Sequence, residues 1–86
     1  METDYPIGYP CPCCGFLTMF GPTRDTYDIC HVCDWEDDEV QYDNPDFGGG
    51  ANRVSLNEAR INYAKFGSSD KDSLKRVRPP QPNEIP

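Results

Sequence analysis

The chain has 86 residues, of which 36% are hydrophobic, and a formal net charge of −7 at pH 7. These numbers predict one small domain with a thin core, because fully burying a large apolar side chain contributes only about 1.5–3 kcal/mol. The acidic balance argues against nonspecific binding to nucleic-acid phosphates or anionic membranes, and no apolar run approaches the roughly 18 residues of a membrane span. Such a chain needs a further source of stability, for which its five cysteines are the obvious candidates.

Short apolar runs flank a cluster of turn-forming residues in the N-terminal half. Residues 1–10 contain two prolines and predict an extended lead-in to the first cysteines. The runs at 16–20 and 26–29 have the composition of short strands, and residues 21–25 between them favour a turn. The pattern predicts a β-hairpin that carries one pair of cysteines at each open end.

An acidic segment with one tryptophan follows the last cysteine and lacks helical periodicity, which predicts a loop. An aromatic side chain beside a row of carboxylates is typical of a site that binds a basic protein surface. The residues assigned to this partner surface are Trp35, Glu36, Asp37, Asp38 and Glu39. Two simpler interpretations stay open: the tryptophan packs over the neighbouring cysteine turn, and the carboxylates form a solvated surface that keeps the protein soluble.

One helix is clearly marked in the C-terminal half. Ser55 and Glu58 match a capping box, and Gly67 can supply a left-handed stop, so the pattern predicts a helix over about 56–66. Its apolar stripe is Leu56, Ala59, Tyr63 and Phe66. We expect residues 1–67 to form the domain, with this stripe packed on the hairpin, and residues 68–86 to be a flexible tail, first polar and basic and then rich in proline.

Four of the cysteines form two pairs with the spacing of a metal site. Cys11 and Cys14 are followed after fifteen residues by Cys30 and Cys33, which gives C-x2-C-x15-C-x2-C. A tight turn lets both sulfurs of a pair approach one ion, and a hairpin that joins two such turns completes a tetrahedron of four thiolates. Zn²⁺ is the default ion for this set, and iron in the same cage would give a rubredoxin-like centre.

The neighbours of these cysteines have separate predictions. Gly15 and Asp34 directly follow the two pairs, where the turn favours residues that tolerate positive φ. Cys13 lies between two ligands and is expected to point elsewhere, as a small buried side chain, an auxiliary ligand or an exposed thiol. His31 lies inside the second turn, and we expect it to be a neighbour of the metal and not a ligand.

Three segments occur along the chain in an informative order. They are Tyr9-Pro-Cys-Pro-Cys-Cys-Gly15, Cys30-x-x-Cys33 followed by Trp35-Glu-Asp-Asp38, and Gly49-Gly-Ala-Asn52 leading into the predicted helix. Together they resemble the bacterial cysteine-rich CPCC family. The resemblance implies a zinc-ribbon-like or rubredoxin-like domain with the four paired cysteines as ligands, and it implies no particular activity.

The predicted function follows from the closed metal site and the acidic charge. Four thiolates leave no position on the metal for water, so we expect no enzymatic activity. The sequence favours a zinc-binding interaction module whose acidic face binds a basic protein partner, for example an immunity protein or antitoxin that neutralises a basic toxin. The alternative is a rubredoxin-like iron electron carrier. Paired cysteines without a visible secretory signal predict a cytoplasmic protein, and no nucleic-acid or membrane partner is expected.

Overall fold

The computed structural model describes residues 8–21 and 27–86. The elements in chain order are β1 (Tyr9–Pro10), β2 (Leu17–Met19), α1 (Glu39–Asp43), α2 (Leu56–Phe66) and the 3-10 helices Lys71–Arg76 and Pro82–Glu84. A small α+β domain is thereby confirmed. Over the described ranges, no helix has the length and apolar character needed to cross a bilayer.

The antiparallel hairpin forms around the first cysteine pair. β1 pairs with β2, with Tyr9 opposite Met19 and Pro10 opposite Leu17. A two-stranded hairpin is confirmed, but its pairing differs from the expected one between 16–20 and 26–29, since residues 27–29 join neither strand of this sheet. Residues 22–26, which include most of the predicted turn, lie outside the described residues. The backbone hydrogen bond from the Cys11 amide to the Phe16 carbonyl folds the first cysteine turn back on itself, so β2 meets the segment before the cysteines.

The core is small and is built largely on the cysteines. Its buried members are Cys11, Met19, Cys30, Val32, Cys33, Trp35, Val54, Leu56 and Ala59. Phe16 and Tyr63 pack against this cluster from the hairpin and from α2, with ring centroids 6.3 Å apart in an edge-to-face arrangement. Because sulfur atoms make up so much of the core, its packing depends on how those sulfurs are held.

Helix α2 agrees with the predicted limits. The Ser55 hydroxyl accepts a hydrogen bond from the Glu58 amide, and Gly67 ends the helix with φ of 88°. Leu56 and Ala59 of the predicted stripe are buried, whereas Phe66 at the far end is 37% exposed. The helix therefore packs on the core from Leu56 to Tyr63, and Phe66 at its end projects beyond it.

Helix α1 lies in the segment that was predicted to be a loop. Its start is defined by the Asp38 carboxylate, whose Oδ1 accepts from the amides of Val40 (2.8 Å) and Gln41 (3.2 Å). The other oxygen, Oδ2, accepts from the amide of Ala51 at 2.9 Å. Asp38 thus caps the helix and ties it to the glycine-rich loop that follows. A helix of five residues has too little periodicity for a sequence pattern to show it.

Gln41 of α1 is completely buried and organises the loop over residues 47–54. Its Nε2 donates to the carbonyls of Phe47, Asn52 and Val54 at 3.0–3.1 Å. Its Oε1 accepts from the amide and from the side-chain nitrogen of Asn52 at 3.0 and 2.9 Å. One side chain therefore hydrogen-bonds to three residues of the loop, Phe47, Asn52 and Val54.

Asp38 is one of the carboxylates whose ionised form is favoured in the folded protein. Hydrogen bonds from the amide of Ala51 first, and then from those of Gln41 and Val40, hold the pKa of Asp38 below its usual range. A lowered folded-state pKa stabilises the fold above the unfolded-state pKa of about 4, and that stabilisation is lost as the pH falls through the folded value.

We therefore expect Asp38→Asn to lower the free energy of unfolding by about 1–2 kcal/mol at neutral pH, because the side-chain amide would place an N–H donor opposite the N–H of Ala51. The difference from the native protein should shrink in acid. Urea unfolding of both proteins, over the acidic range in which both stay folded, measures that difference. A difference independent of pH would mean that the ionised carboxylate is not the cause.

The segment after α2 has defined contacts with the rest of the domain. The Ser69 amide donates to the carbonyl of Cys33 at 2.7 Å, and the guanidinium of Arg78 pairs with both oxygens of Glu84 at 2.8 Å. The second 3-10 helix, Pro82–Glu84, lies beside β2. The boundary at residue 67 and the flexibility of residues 68–86 stay predictions, but part of this segment supports the second cysteine turn directly.

Candidate metal centre

The first cysteine turn is held by two backbone hydrogen bonds. The Cys11 amide donates to the carbonyl of Phe16, and the Gly15 amide donates to the carbonyl of Cys11, both at 2.9 Å. Gly15 has φ of 82°, a conformation that costs glycine little. The chain can therefore reverse within five residues and bring Cys11 and Cys14 to the same side.

The second turn repeats the first at the equivalent positions. The Cys30 amide donates to the carbonyl of Trp35 at 2.9 Å, and the Asp34 amide donates to the carbonyl of Cys30 at 2.7 Å. Asp34 has φ of 71°, so the expected positive φ after each cysteine pair is confirmed at both places. The same pattern of backbone hydrogen bonds therefore positions the four predicted ligands in both turns.

The four predicted ligand atoms lie together. The Sγ atoms of Cys11, Cys14, Cys30 and Cys33 are all within 4.8 Å of one another. The pairs Cys11–Cys33 and Cys14–Cys30, one sulfur from each turn, are 3.6 and 3.7 Å apart. With Zn–S bonds of about 2.3 Å, the edges of a regular tetrahedron of sulfurs are about 3.8 Å long. The group has the size and composition to hold one ion at its centre.

Donors around the sulfurs complete the site. The Thr18 hydroxyl on β2 donates to Sγ of Cys30 at 2.9 Å, and the Cys13 amide donates to Sγ of Cys11 at 3.4 Å. Such donors spread the negative charge of thiolates and orient them toward a metal. The Thr18 contact was not predicted, because it depends on how β2 lies against the second turn.

The electrostatics of the cluster favour a bound cation. Hydrogen bonds from the thiols of Cys11, Cys14 and Cys33, with one from the Thr18 hydroxyl, hold the pKa of Cys30 far below its ordinary value. The pKa of Cys11 is raised, first by its hydrogen bonds with Cys14 and Cys30 and further by burial. Sulfurs this close cannot all ionise unless a positive ion shares their charge.

The other side chains of the two turns lie outside the group of four sulfurs. Cys13 is half-buried and packs against the core, which agrees with its expected position off the metal. His31 is exposed at the surface of the second turn. Arg60 of α2 donates from Nε to the carbonyl of Pro12 at 2.9 Å and so ties the helix to the first turn.

The five residues predicted to bind a partner do not form one exposed face. Trp35 is 1% exposed in the core, which confirms its packing over the cysteine turn, and Asp37 is 0% exposed. Asp38 is taken up by its capping bonds, so none of these three side chains is open to a partner. Glu36 is half-buried and Glu39 is exposed. Asp37 and Asp38, which follow the buried tryptophan closely, are buried as well. The acidic residues are therefore continuous in the sequence but only partly exposed in the fold.

The Thr18 hydroxyl should measurably strengthen metal binding. We expect Thr18→Val to weaken metal affinity by about tenfold, because loss of a partner of this kind typically costs 10–100-fold. Thr18→Ser, which keeps the hydroxyl, is the matched control and should bind nearly as tightly as the native chain. Competition with a chromophoric chelator measures both affinities. Equal weakening in the two variants would assign the effect to packing of β2 and not to the hydrogen bond.

The sequence matches a model of a known protein family. The family model described as Cysteine-rich CPCC matches residues 9–84, which contain both cysteine turns, α1, α2 and both 3-10 helices. No curated protein matches the sequence. Since the match extends over most of the chain and includes all four clustered sulfurs, this protein belongs to the cysteine-rich CPCC family.

Proposed function

We propose that this protein is a non-enzymatic interaction module that is held together by one zinc ion and binds a basic protein partner. The observation that carries the metal part is the cluster of four sulfurs presented by two matching turns. Four thiolates complete a tetrahedron and leave no position for a water or substrate, as in structural zinc sites. A catalytic zinc site, in contrast, keeps one position open.

Zinc suits both the ligands and the size of the protein. It is redox-inert and forms tetrahedral sites with four cysteines, and its binding supplies folding free energy to domains with a small core. Among the residues that the structure describes, three of the nine members of the buried core are cysteines, so the fold gains much from an ion at its centre. Reduced, metal-bound cysteines also suit the reducing cytoplasm, which is the location that we propose.

Iron is the second candidate for the same cage. Tetrahedral sites of four sulfurs accept iron as well as zinc, and hydrogen bonds to the sulfurs, such as that from Thr18, tune the potential of an iron centre. A protein purified with iron would be coloured by thiolate-to-iron absorption and would support a rubredoxin-like electron carrier. Elemental analysis of the protein purified from its own host distinguishes the two ions.

The charge supports a basic protein as the partner. Residues 1–52 contain eleven acidic residues and one basic residue, whereas residues 53–78 contain seven basic and three acidic residues. An acidic surface speeds association with a cationic protein and repels nucleic-acid phosphates and anionic lipids. An immunity protein or antitoxin that neutralises a basic toxin is the concrete form that we favour.

An affinity capture followed by a salt titration tests this proposal. The protein, carrying the metal with which it is purified, is used to capture partners from its own host, and the affinity for each captured protein is then measured at low and high ionic strength. We expect a partner with a basic surface whose affinity falls steeply with added salt. Acidic partners, or an affinity that does not respond to salt, would contradict the proposal.

A further inference from the structure

A cavity of about 420 Å³ lies between the second cysteine turn and the segment after α2. Its charged lining residues are Asp34, Glu36, Asp70, Asp72, Arg53 and Arg76. Four carboxylates therefore face two guanidinium groups across this space. The carboxylates come from the acidic and the basic halves of the sequence, which is why the sequence alone did not bring them together.

Both arginines of the cavity are already paired within the protein. The guanidinium of Arg53 donates to both oxygens of Asp70 at 3.0 and 2.8 Å, and Arg76 donates to Asp34 at 3.0 Å. The two arginine side chains are 65% and 62% exposed, whereas Asp70 and Asp34 are only 13% and 15% exposed. Each arginine of the cavity thus has part of its charge balanced by an aspartate of the same protein.

Two polar groups in the cavity lack partners among the described residues. The carboxylate of Glu36 makes no hydrogen bond or ion pair there, although its backbone amide and carbonyl are fixed by the Asn52 side chain at 2.8 and 2.7 Å. Ser69 is only 3% exposed, and its hydroxyl likewise makes no hydrogen bond. Ser69 lines the cavity, so its hydroxyl is open to a hydrogen-bonding group of a ligand that enters this space.

We propose that this cavity binds a lysine or arginine side chain from a basic segment of a protein partner. The cation pairs with Glu36 and donates to the Ser69 hydroxyl, in a setting where the carboxylates outnumber the guanidiniums by two. This proposal rests on the proposed function and names the contact surface for it. It moves that surface from the run of residues 35–39 to a cavity in which only Glu36 of that run takes part.

A defined peptide tests the cavity without the natural partner. The metal-loaded, ¹⁵N-labelled protein is titrated with an oligo-arginine peptide, and oligo-glutamate serves as the negative probe. We expect amide shifts confined to residues around the cavity, such as Asn52, Arg53 and Ser69. Glu36→Gln should weaken peptide binding at least about threefold, whereas Glu39→Gln, the same change at an exposed acid outside the cavity, should weaken it much less.

A second variant separates recognition of charge from structural damage. Arg53→Gln removes a positive charge from the cavity and releases Asp70, so it should tighten peptide binding, whereas Lys65→Gln on α2 makes the same change in net charge elsewhere and should have little effect. If Arg53→Gln instead bound the peptide more weakly than the native protein does, the proposal would be overturned.

The remaining outcomes also decide the matter. Peptide binding that shifts resonances elsewhere, or that weakens equally in Glu36→Gln and Glu39→Gln, would overturn the cavity as the site and leave the proposed interaction with a basic partner intact. Absence of peptide binding would also overturn the cavity as the site. The broader proposal of a basic partner is tested separately, by the capture and salt titration of the natural partner.

Discussion

Replacing Cys30 by serine is expected to abolish metal binding and to unfold the protein under conditions in which the native chain is folded. Cys30 is completely buried, and its sulfur lies 3.7 Å from that of Cys14 and accepts a hydrogen bond from Thr18. In small zinc domains the apparent metal-binding free energy is about 10–16 kcal/mol, which is as large as the whole stability of a typical domain. A core in which cysteines replace much of the hydrocarbon cannot compensate for that loss.

Cys13→Ser is the matched control for this experiment. Cys13 is half-buried and lies outside the group of four sulfurs, so its substitution should leave one metal ion per chain and nearly native stability. Elemental analysis gives the metal content, and far-UV circular dichroism with urea unfolding gives the folded state. A folded, metal-bound Cys30→Ser protein would contradict a four-sulfur site, and loss of metal in Cys13→Ser would make Cys13 a ligand.

Replacing Gln41 by leucine is expected to produce the second largest effect, a loss of about 3–5 kcal/mol of unfolding free energy with the metal still bound. Leucine preserves the volume of the side chain but removes every hydrogen bond that Gln41 makes to the loop over 47–54. Each buried polar group left without a partner costs about 1–3 kcal/mol, and partial rearrangement of the loop toward water limits the sum.

Asn44→Ala is the control for the glutamine substitution. Asn44 lies at the exposed end of α1, where its side chain makes one hydrogen bond, at 3.1 Å to the carbonyl of Val40. We expect a cost below about 1 kcal/mol there. Urea unfolding of metal-saturated protein compares the two variants. A cost for Gln41→Leu as small as that for Asn44→Ala would show that the loop does not depend on the glutamine.

The same buried network connects α1 to the proposed cavity. Asn52 donates to Oε1 of Gln41 and also holds the backbone of Glu36 through two hydrogen bonds. The carboxylate that we assign to the partner therefore projects from a rigid part of the fold. Gln41→Leu should accordingly weaken binding of the oligo-arginine peptide as well as stability.

The cluster of four cysteine sulfurs and α2 were predictable because their signals are local. The spacing within each cysteine pair, the residue that follows it, and the Ser55 and Gly67 caps all act over a few residues of backbone. Short-range geometry of this kind depends on residue type and spacing and little on the rest of the chain. The four clustered sulfurs and the limits of α2 therefore agree with the predictions.

Features that depend on distant segments were not predictable in the same way. Pairing of β2 with β1, the Thr18 contact to Cys30 and the burial of Trp35 and Asp37 each follow from how separate segments pack. A run of acidic residues in the sequence cannot show which carboxylates are buried, because burial depends on packing against residues that lie far away in the chain.

The sequence alone was thus sufficient to identify the four candidate ligands and the main helix. Only the tertiary structure showed which residues of the acidic run are buried and which are exposed. It placed Trp35 in the core, assigned Asp38 to the start of α1 and brought Glu36 beside Asp70 and Asp72. The physical reason is that a metal turn is a property of consecutive residues, whereas the charge of a surface is a sum over residues that only folding brings together.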